Sequence, residues 1–300
     1  MARCWLDFHD PRGTVFLAGT GRSGTTWLAE VLNAQNDFRL LFEPFFQDEV
    51  ALFRGWWKPH LYLRPYEVKG RYTESIRWVI EGRLRDPWVD HFNRRWIARR
   101  RLIKEIRANL FLKWLRTAYP ELPIIFLLRH PVACALSQAR MEWPPRFDRF
   151  LEQPALMEDH LNPYRDLLRE WPTLFEARVV MWCCLNWVPL RQMKPGEMDV
   201  IFYEDLCRRP AEVLPPLCER IGVRYGPRME QHLRRLSALS TPASAIAQQD
   251  DPVTAWQGQV SAEEVERAMA ILRRFGLDRI YDESPQPRLP ASECLNLFSA

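Results

Sequence analysis

The sequence predicts an α/β protein in which helices flank a central parallel sheet, and three observations carry that expectation. Three short apolar runs are each followed by a helical stretch. Arg22, Arg129 and Tyr203 sit at or just beyond the ends of these runs, and strand ends of such sheets are where ligands bind. Four of the twelve glycines fall between Gly13 and Gly24, directly around the first run.

The elements follow in order. Residues 14–18 (TVFLA) form a β-prone run ending at Gly19, and residues 25–33 read as a helix with Trp27, Leu28, Val31 and Leu32 on one side. A second run, 123–128 (PIIFLL), stops at Arg129 and His130-Pro131 before a helical stretch over 132–141. A third, 199–203 (DVIFY), stops at Glu204-Asp205 and enters a helical segment around 211–221. Continuous apolar runs of this kind suit strands buried on both faces. Residues 261–276 predict a further helix, with Ser261 and Glu264 as a capping box and Gly276 as the stop; its expected role is structural. Residues 48–101 and 142–195 are less orderly, rich in Trp, Arg and Pro, and read as lid insertions over the sheet. The MWCCLNW stretch with Trp182, Asn186 and Trp187 reads as core. No linker divides the chain, so 1–300 is expected to form one domain.

Composition narrows the classes. At 47% hydrophobic and 27% charged, the chain is that of a globular protein, and a net charge of +4 suits anionic small ligands without pointing to nucleic acid. No apolar run approaches the ~18 residues of a membrane helix, and the N-terminus leaves no room for a signal peptide. Seven cysteines show no CxxC pair and the six histidines no metal spacing. A cytoplasmic protein with reduced thiols and no metal is expected.

The segment Gly19-Thr20-Gly21-Arg22-Ser23-Gly24-Thr25-Thr26 has the spacing of a nucleotide phosphate loop, whose backbone N–H groups and following helix N-terminus cradle an anion. A Walker loop places lysine after its last glycine, on the β/γ-phosphates. Here that position is Thr25, and the basic residue has moved inside the loop to Arg22. This favours a 5′-phosphosulfate over a triphosphate. Arg129 at a strand end offers a forked cation, and Ser137, eight residues on, adds a hydroxyl from the next helix.

GRSGTTWL (21–28) resembles the 5′-phosphosulfate loop of the sulfotransferases, and LLRHPVACALS (127–137) resembles their 3′-phosphate motif. LLFEPF (40–45), IKEIRANL (103–110), FYEDLCRRP (202–210) and the stretch from Thr254 onward extend the likeness, closest in pattern to the carbohydrate 6-O-sulfotransferases. The resemblance implies a P-loop-like sheet. It also implies 3′-phosphoadenosine 5′-phosphosulfate (PAPS) as sulfuryl donor, and 3′-phosphoadenosine 5′-phosphate (PAP) as product. The acceptor would be a hydroxyl, on a glycan or glycoconjugate or alternatively on a small non-sugar alcohol. It implies that Gly21, Arg22, Ser23, Gly24, Thr25 and Thr26 hold the 5′ end, Arg129 and Ser137 the 3′-phosphate. Trp27 and Tyr203 are divided between adenine contact and core packing. A P-loop kinase or NTPase is the competing class by fold, and a non-catalytic polyanion-binding protein a third.

Transfer to an alcohol needs a proton acceptor. Small-alcohol relatives carry a Lys-Thr-His element, whereas this chain reads Lys104-Glu105-Ile106. Glu43, in an apolar run that should raise its pKa, is the candidate base, with a salt bridge to a nearby arginine as the alternative. Glu105 is the second candidate and is expected to point away from Lys104. Arg22 would act on the leaving phosphate and Lys104 on a sulfuryl oxygen; Arg107 would do likewise or pair with Glu43. The basic run 94–107 reads as a solvated helical face rather than a glycan-docking surface.

Overall fold

A computed structural model describes residues 6–93, 96–233, 235, 237 and 250–298. Five strands form one parallel sheet: β1 (Thr14–Gly19), β2 (Arg39–Phe42), β3 (Arg101–Glu105), β4 (Ile124–Leu128) and β5 (Asp199–Phe202), in the order β2-β3-β1-β4-β5. Side chains alternate across it with period two. Phe16, Ala18, Leu41, Ile103, Phe126 and Phe202 enter one core. Val15, Leu17, Leu40, Leu102, Ile125 and Ile201 enter the other. Both faces are therefore covered, which is why these runs read as continuously apolar.

Pairing register sets the carboxyl ends level. Ala18 stands opposite Glu105, Phe42 opposite Lys104, Gly19 opposite Leu127, and Leu128 opposite Phe202. Helix α1 (Thr25–Leu32) follows the glycine loop, and α2 (Pro131–Arg140) follows β4. The latter starts one residue before the expected position because Pro131 occupies its first turn, where a missing N–H is tolerated. Strand β5 ends at Phe202; Tyr203 opens a short helix, α4 (Tyr203–Arg208), preceding α5 (Pro210–Arg220), whereas one helix around 211–221 is expected from the sequence. Helix α6 (Ala262–Phe275) has both arms of its capping box and ends at Gly276 in the left-handed conformation.

The 142–195 insertion centres on α3 (Leu174–Gln192), which packs on α2 and α6 and buries Trp182, Asn186 and Trp187, the core reading of that stretch. The 48–101 insertion contributes to the core as well: Phe53, Leu61, Leu63, Ile76, Val79 and Val89 are fully buried. Only a few of its side chains reach the sheet's carboxyl edge. The basic run is not a helical face. Residues Ile97–Ala98 and Arg101–Glu105 are strands, and Arg94 and Arg95 lie outside the described residues. Arg101 is fully buried because Asp7 neutralises it. Asp7 accepts from Arg101 and, at 3.0 Å, from Arg39, which also meets Asp90 at 2.7 Å. This ion cluster closes the amino-terminal end of the sheet, opposite the glycine loop. No helix among the described residues is long and apolar enough to cross a membrane.

Candidate active site

The carboxyl edge of the sheet opens into a cavity of about 410 Å³. Its floor is the loop between β1 and α1. Gly24 takes φ 98°, and a Cβ there would lie 2.7 Å from the Tyr203 ring, so glycine is required twice over. Gly24, Thr25 and Thr26 line the cavity, and the first N–H groups of a helix lack partners within it. That terminus therefore offers donors to an anion. Ser23 departs from its expected role: its N–H and its hydroxyl both bond the Thr20 carbonyl, at 3.1 and 2.7 Å. Those contacts shape the loop and turn the side chain inward. Gly21 also lies outside this cavity, because the Trp143 ring covers it; a Cβ at Gly21 would sit 2.5 Å from that ring.

Two arginines converge on the loop. Arg22, at φ 72°, donates through Nε to Ser137 Oγ at 3.0 Å, so the residues expected to hold the two ends of a nucleotide already touch. Arg129 donates to the Arg22 carbonyl at 3.1 Å and the Pro252 carbonyl at 3.2 Å, and lies 4.3 Å over the Tyr203 ring. Its Nε is buried without a partner. Neither guanidinium has a carboxylate partner among the described residues. Burial, then the charge of Arg129, depresses the Arg22 pKa. Trp27 meets Tyr203 edge-on at 5.5 Å, and its indole N–H is also unpartnered. Both rings line the cavity while being almost wholly buried.

Behind Arg129 lies a network that the motifs do not announce. Glu204 accepts the His130 N–H at 2.8 Å and the Tyr281 hydroxyl at 2.9 Å, and burial pushes its pKa up to about 7. His130 stacks on Trp256 at 4.3 Å. The sequence signals were the carboxylate following the third apolar run and the histidine after the second, but no local spacing joins either to Tyr281.

On the opposite side, β2 and β3 deliver Glu43, Lys104 and Arg107. Glu43 accepts from Lys104 Nζ and, at 2.6 Å, from Arg107 Nη1. The ion-pair alternative is therefore the one realised, and the expected rise in pKa is reversed. Burial alone would raise it, but the charges of Lys104 and Arg107 outweigh that and hold the carboxyl below its ordinary value. Glu105 points away, as alternation requires. Its carboxylate accepts N–H groups from Phe45 (2.8 Å), Ile106 (2.8 Å) and Arg107 (2.9 Å), a bracket for the turn after β3. Of these two carboxylates only Glu43 lines the cavity.

Such an arrangement places the protein in the class of α/β proteins that carry a glycine loop between the central strand of a parallel sheet and the helix that follows. Within that class the chain belongs to the sulfotransferase family, whose profile matches residues 14–227. Among solved structures it is similar to a sulfotransferase domain from the curacin biosynthetic pathway, with 15% identity over 87% of this chain and 97% of that one and a TM-score of 0.47. A mouse sulfotransferase complexed with PAP shares 15% identity over 96% of this chain and 88% of that one, with a TM-score of 0.43. A sulfotransferase from Alicyclobacillus acidocaldarius shares 17% identity over 87% and 96%, with a TM-score of 0.38. No curated protein matches the chain's sequence.

Proposed function

We propose that the chain moves the sulfuryl group of PAPS to a hydroxyl of a carbohydrate or glycosylated acceptor, releasing PAP. The observation that supports this most is the pair Arg22 and Arg129, two cations at one cavity with no carboxylate between them. Uncompensated cations of this kind are costly unless a ligand brings negative charge. A nucleotide with a phosphate at 3′ and a phosphosulfate at 5′ brings it at two points. The orphaned Nε of Arg129 fits a phosphate oxygen, and the absent Walker lysine disfavours a triphosphate.

Bound, PAPS supplies a sulfuryl group attached to a phosphate leaving group. In this reading Thr25, Thr26 and Arg22 hold the 5′ end, and Arg22 stabilises charge that develops on the leaving oxygen. Arg129 and Ser137 hold the 3′-phosphate, and Trp27 and Tyr203 flank adenine. As the acceptor oxygen bonds sulfur and the phosphate–sulfur link breaks, the hydroxyl proton passes to Glu43. Lys104 offers its ammonium to a sulfuryl oxygen. A cytoplasmic location belongs to the same reading, supported by the free thiols at Cys134, Cys183, Cys184, Cys207, Cys218 and Cys294.

Isothermal titration tests the donor assignment. Arg129→Ala should weaken PAP by roughly 10–150-fold, the worth of one charge-assisted contact, while 5′-AMP changes by less than about twofold. Equal losses for the two nucleotides, or tighter binding of ATP–Mg²⁺ than of PAP by the wild type, would overturn it.

A further inference from the structure

Next to the donor cavity, sharing Phe46, Ile106, Arg107 and Trp143 as a common wall, lies a second cavity of about 220 Å³. Its far side carries Arg149 and Arg178. Arg178 is buried, at 8% exposure, yet its guanidinium meets only the carbonyls of Trp143 and Leu174, both at 3.3 Å. Arg149 is half-buried and has no ion pair among the described residues. Arg146, by contrast, is already neutralised by Asp148 at 2.7 Å. Asp48, the carboxylate lining this cavity, is exposed and accepts from Gln47 at 2.9 Å.

Two side chains that line the same cavity each carry a buried acceptor-capable atom without a partner, His60 Nδ1 and Gln47 Oε1. His60 is held in the left-handed region at φ 54°, a strained conformation for a non-glycine residue. Burial, together with Arg107 and Arg149, pushes its pKa down to about 3, so it enters the cavity neutral. The cationic character therefore comes from the arginines. Set against Asp48, the guanidiniums that line this cavity leave it with an excess of positive charge that suits an anion.

We infer that this second cavity is the acceptor subsite and that it selects acceptors bearing an oxyanion (carboxylate, phosphate or sulfate) held by Arg149 and Arg178. This assignment rests on the donor reading above. The hydroxyl of such an acceptor meets Glu43 across the shared wall at Arg107, whose guanidinium bonds Glu43 and lies 3.8 Å over the Phe46 ring. Phe46 and Trp143 supply apolar faces for a ring, and His60 and Gln47 supply hydrogen-bond partners for its hydroxyls. The volume is below the ~300–1,000 Å³ of a complete small-molecule site, which suits one charged sugar unit rather than a whole oligosaccharide.

The test is titration of the full chain, saturated with PAP so that the phosphate positions are filled, with glucose, glucuronate and glucose 1-phosphate. At least one of the two anionic sugars should bind about tenfold or more tightly than glucose, and which of them does so distinguishes carboxylate from phosphate recognition. Arg149→Gln and Arg178→Gln should each remove most of that preference, while PAP affinity stays within about twofold. Arg149→Lys and Arg178→Lys, which keep the charge, should retain part of it and show that loss in the glutamine variants is not misfolding. Equal binding of all three sugars, or a preference that survives both glutamine variants, overturns the assignment. Glucuronate is also titrated without PAP. If PAP fails to bind but glucuronate binding still depends on Arg149, the donor reading falls and the anion site stands; the opposite result removes the anion site alone.

Discussion

Glu43 occupies the left-handed region at φ 42°, just where β2 ends. Its N–H bonds the Lys104 carbonyl at 2.8 Å and its carboxylate takes both neighbouring cations, contacts that fix the strained residue in place. The same cations reduce its basicity and keep it ionised at neutral pH, the state that the proposed role of proton acceptor requires. Glu43→Gln should lower kcat by roughly 10²–10⁴-fold with PAP affinity within about twofold. The sign of its pH dependence follows from the depressed pKa: wild-type kcat/KM should hold its plateau down to below pH 4.5, the ordinary glutamate value, and fall only under it. A wild-type profile that instead loses activity near pH 6, or a glutamine variant with normal turnover, would remove Glu43 from this role.

At the scale of elements, the join between β5 and α4 depends on a single carboxyl group. Glu204 ties the first turn of α4 to the N-terminus of α2 through His130, and to the C-terminal segment through Tyr281. Its folded pKa of about 7 lies above the ordinary 4.5, so the folded chain binds that proton more tightly. The resulting stability is complete below pH 4.5 and is lost as the pH rises through 7, a span on the order of 3 kcal/mol. Urea denaturation at pH 4.5 and pH 8 should therefore show a larger decline for wild type than for Glu204→Gln; parallel declines would refute the linkage. Elements of this kind divide what could be read locally from what could not. The run 14–18, its glycine loop and the helix after it are legible because strand, turn and helix signals lie within twenty residues. So is α6, from its capping box. The pairing of Glu204 with Tyr281 spans 77 positions, and Arg101 with Asp7 spans 94, so composition near either partner carried no sign of it. Arg101 accordingly read as a solvated cation when it is buried. Glu43 lay between both cases: its apolar neighbours and a pairing with Arg107 were visible, its bond to Lys104 was not.

For the molecule as a whole, the parallel register separates two ends with different duties. The carboxyl ends of β1 to β5 supply Arg22, Glu43, Lys104, Arg129 and Tyr203 or lead directly into them. The amino ends are clamped by Asp7, Arg39, Asp90 and Arg101, all fully or nearly fully buried. Among the described carboxylates Asp7 alone contacts both arginines, so Asp7→Asn leaves Asp90 to balance two buried cations and should cost about 3–5 kcal/mol of stability. Chemical denaturation measures that loss, and the Kd of PAP for the folded protein should stay within about twofold; an unchanged midpoint would show that the clamp contributes little. The contact between Trp143 and Gly21 crosses these territories differently, joining the 142–195 insertion to the phosphate loop. Position 143 is thus a hinge pin between two parts of the chain: a change to this ring reaches the glycine loop and the insertion in one step, whereas a change elsewhere in the insertion need not touch the loop.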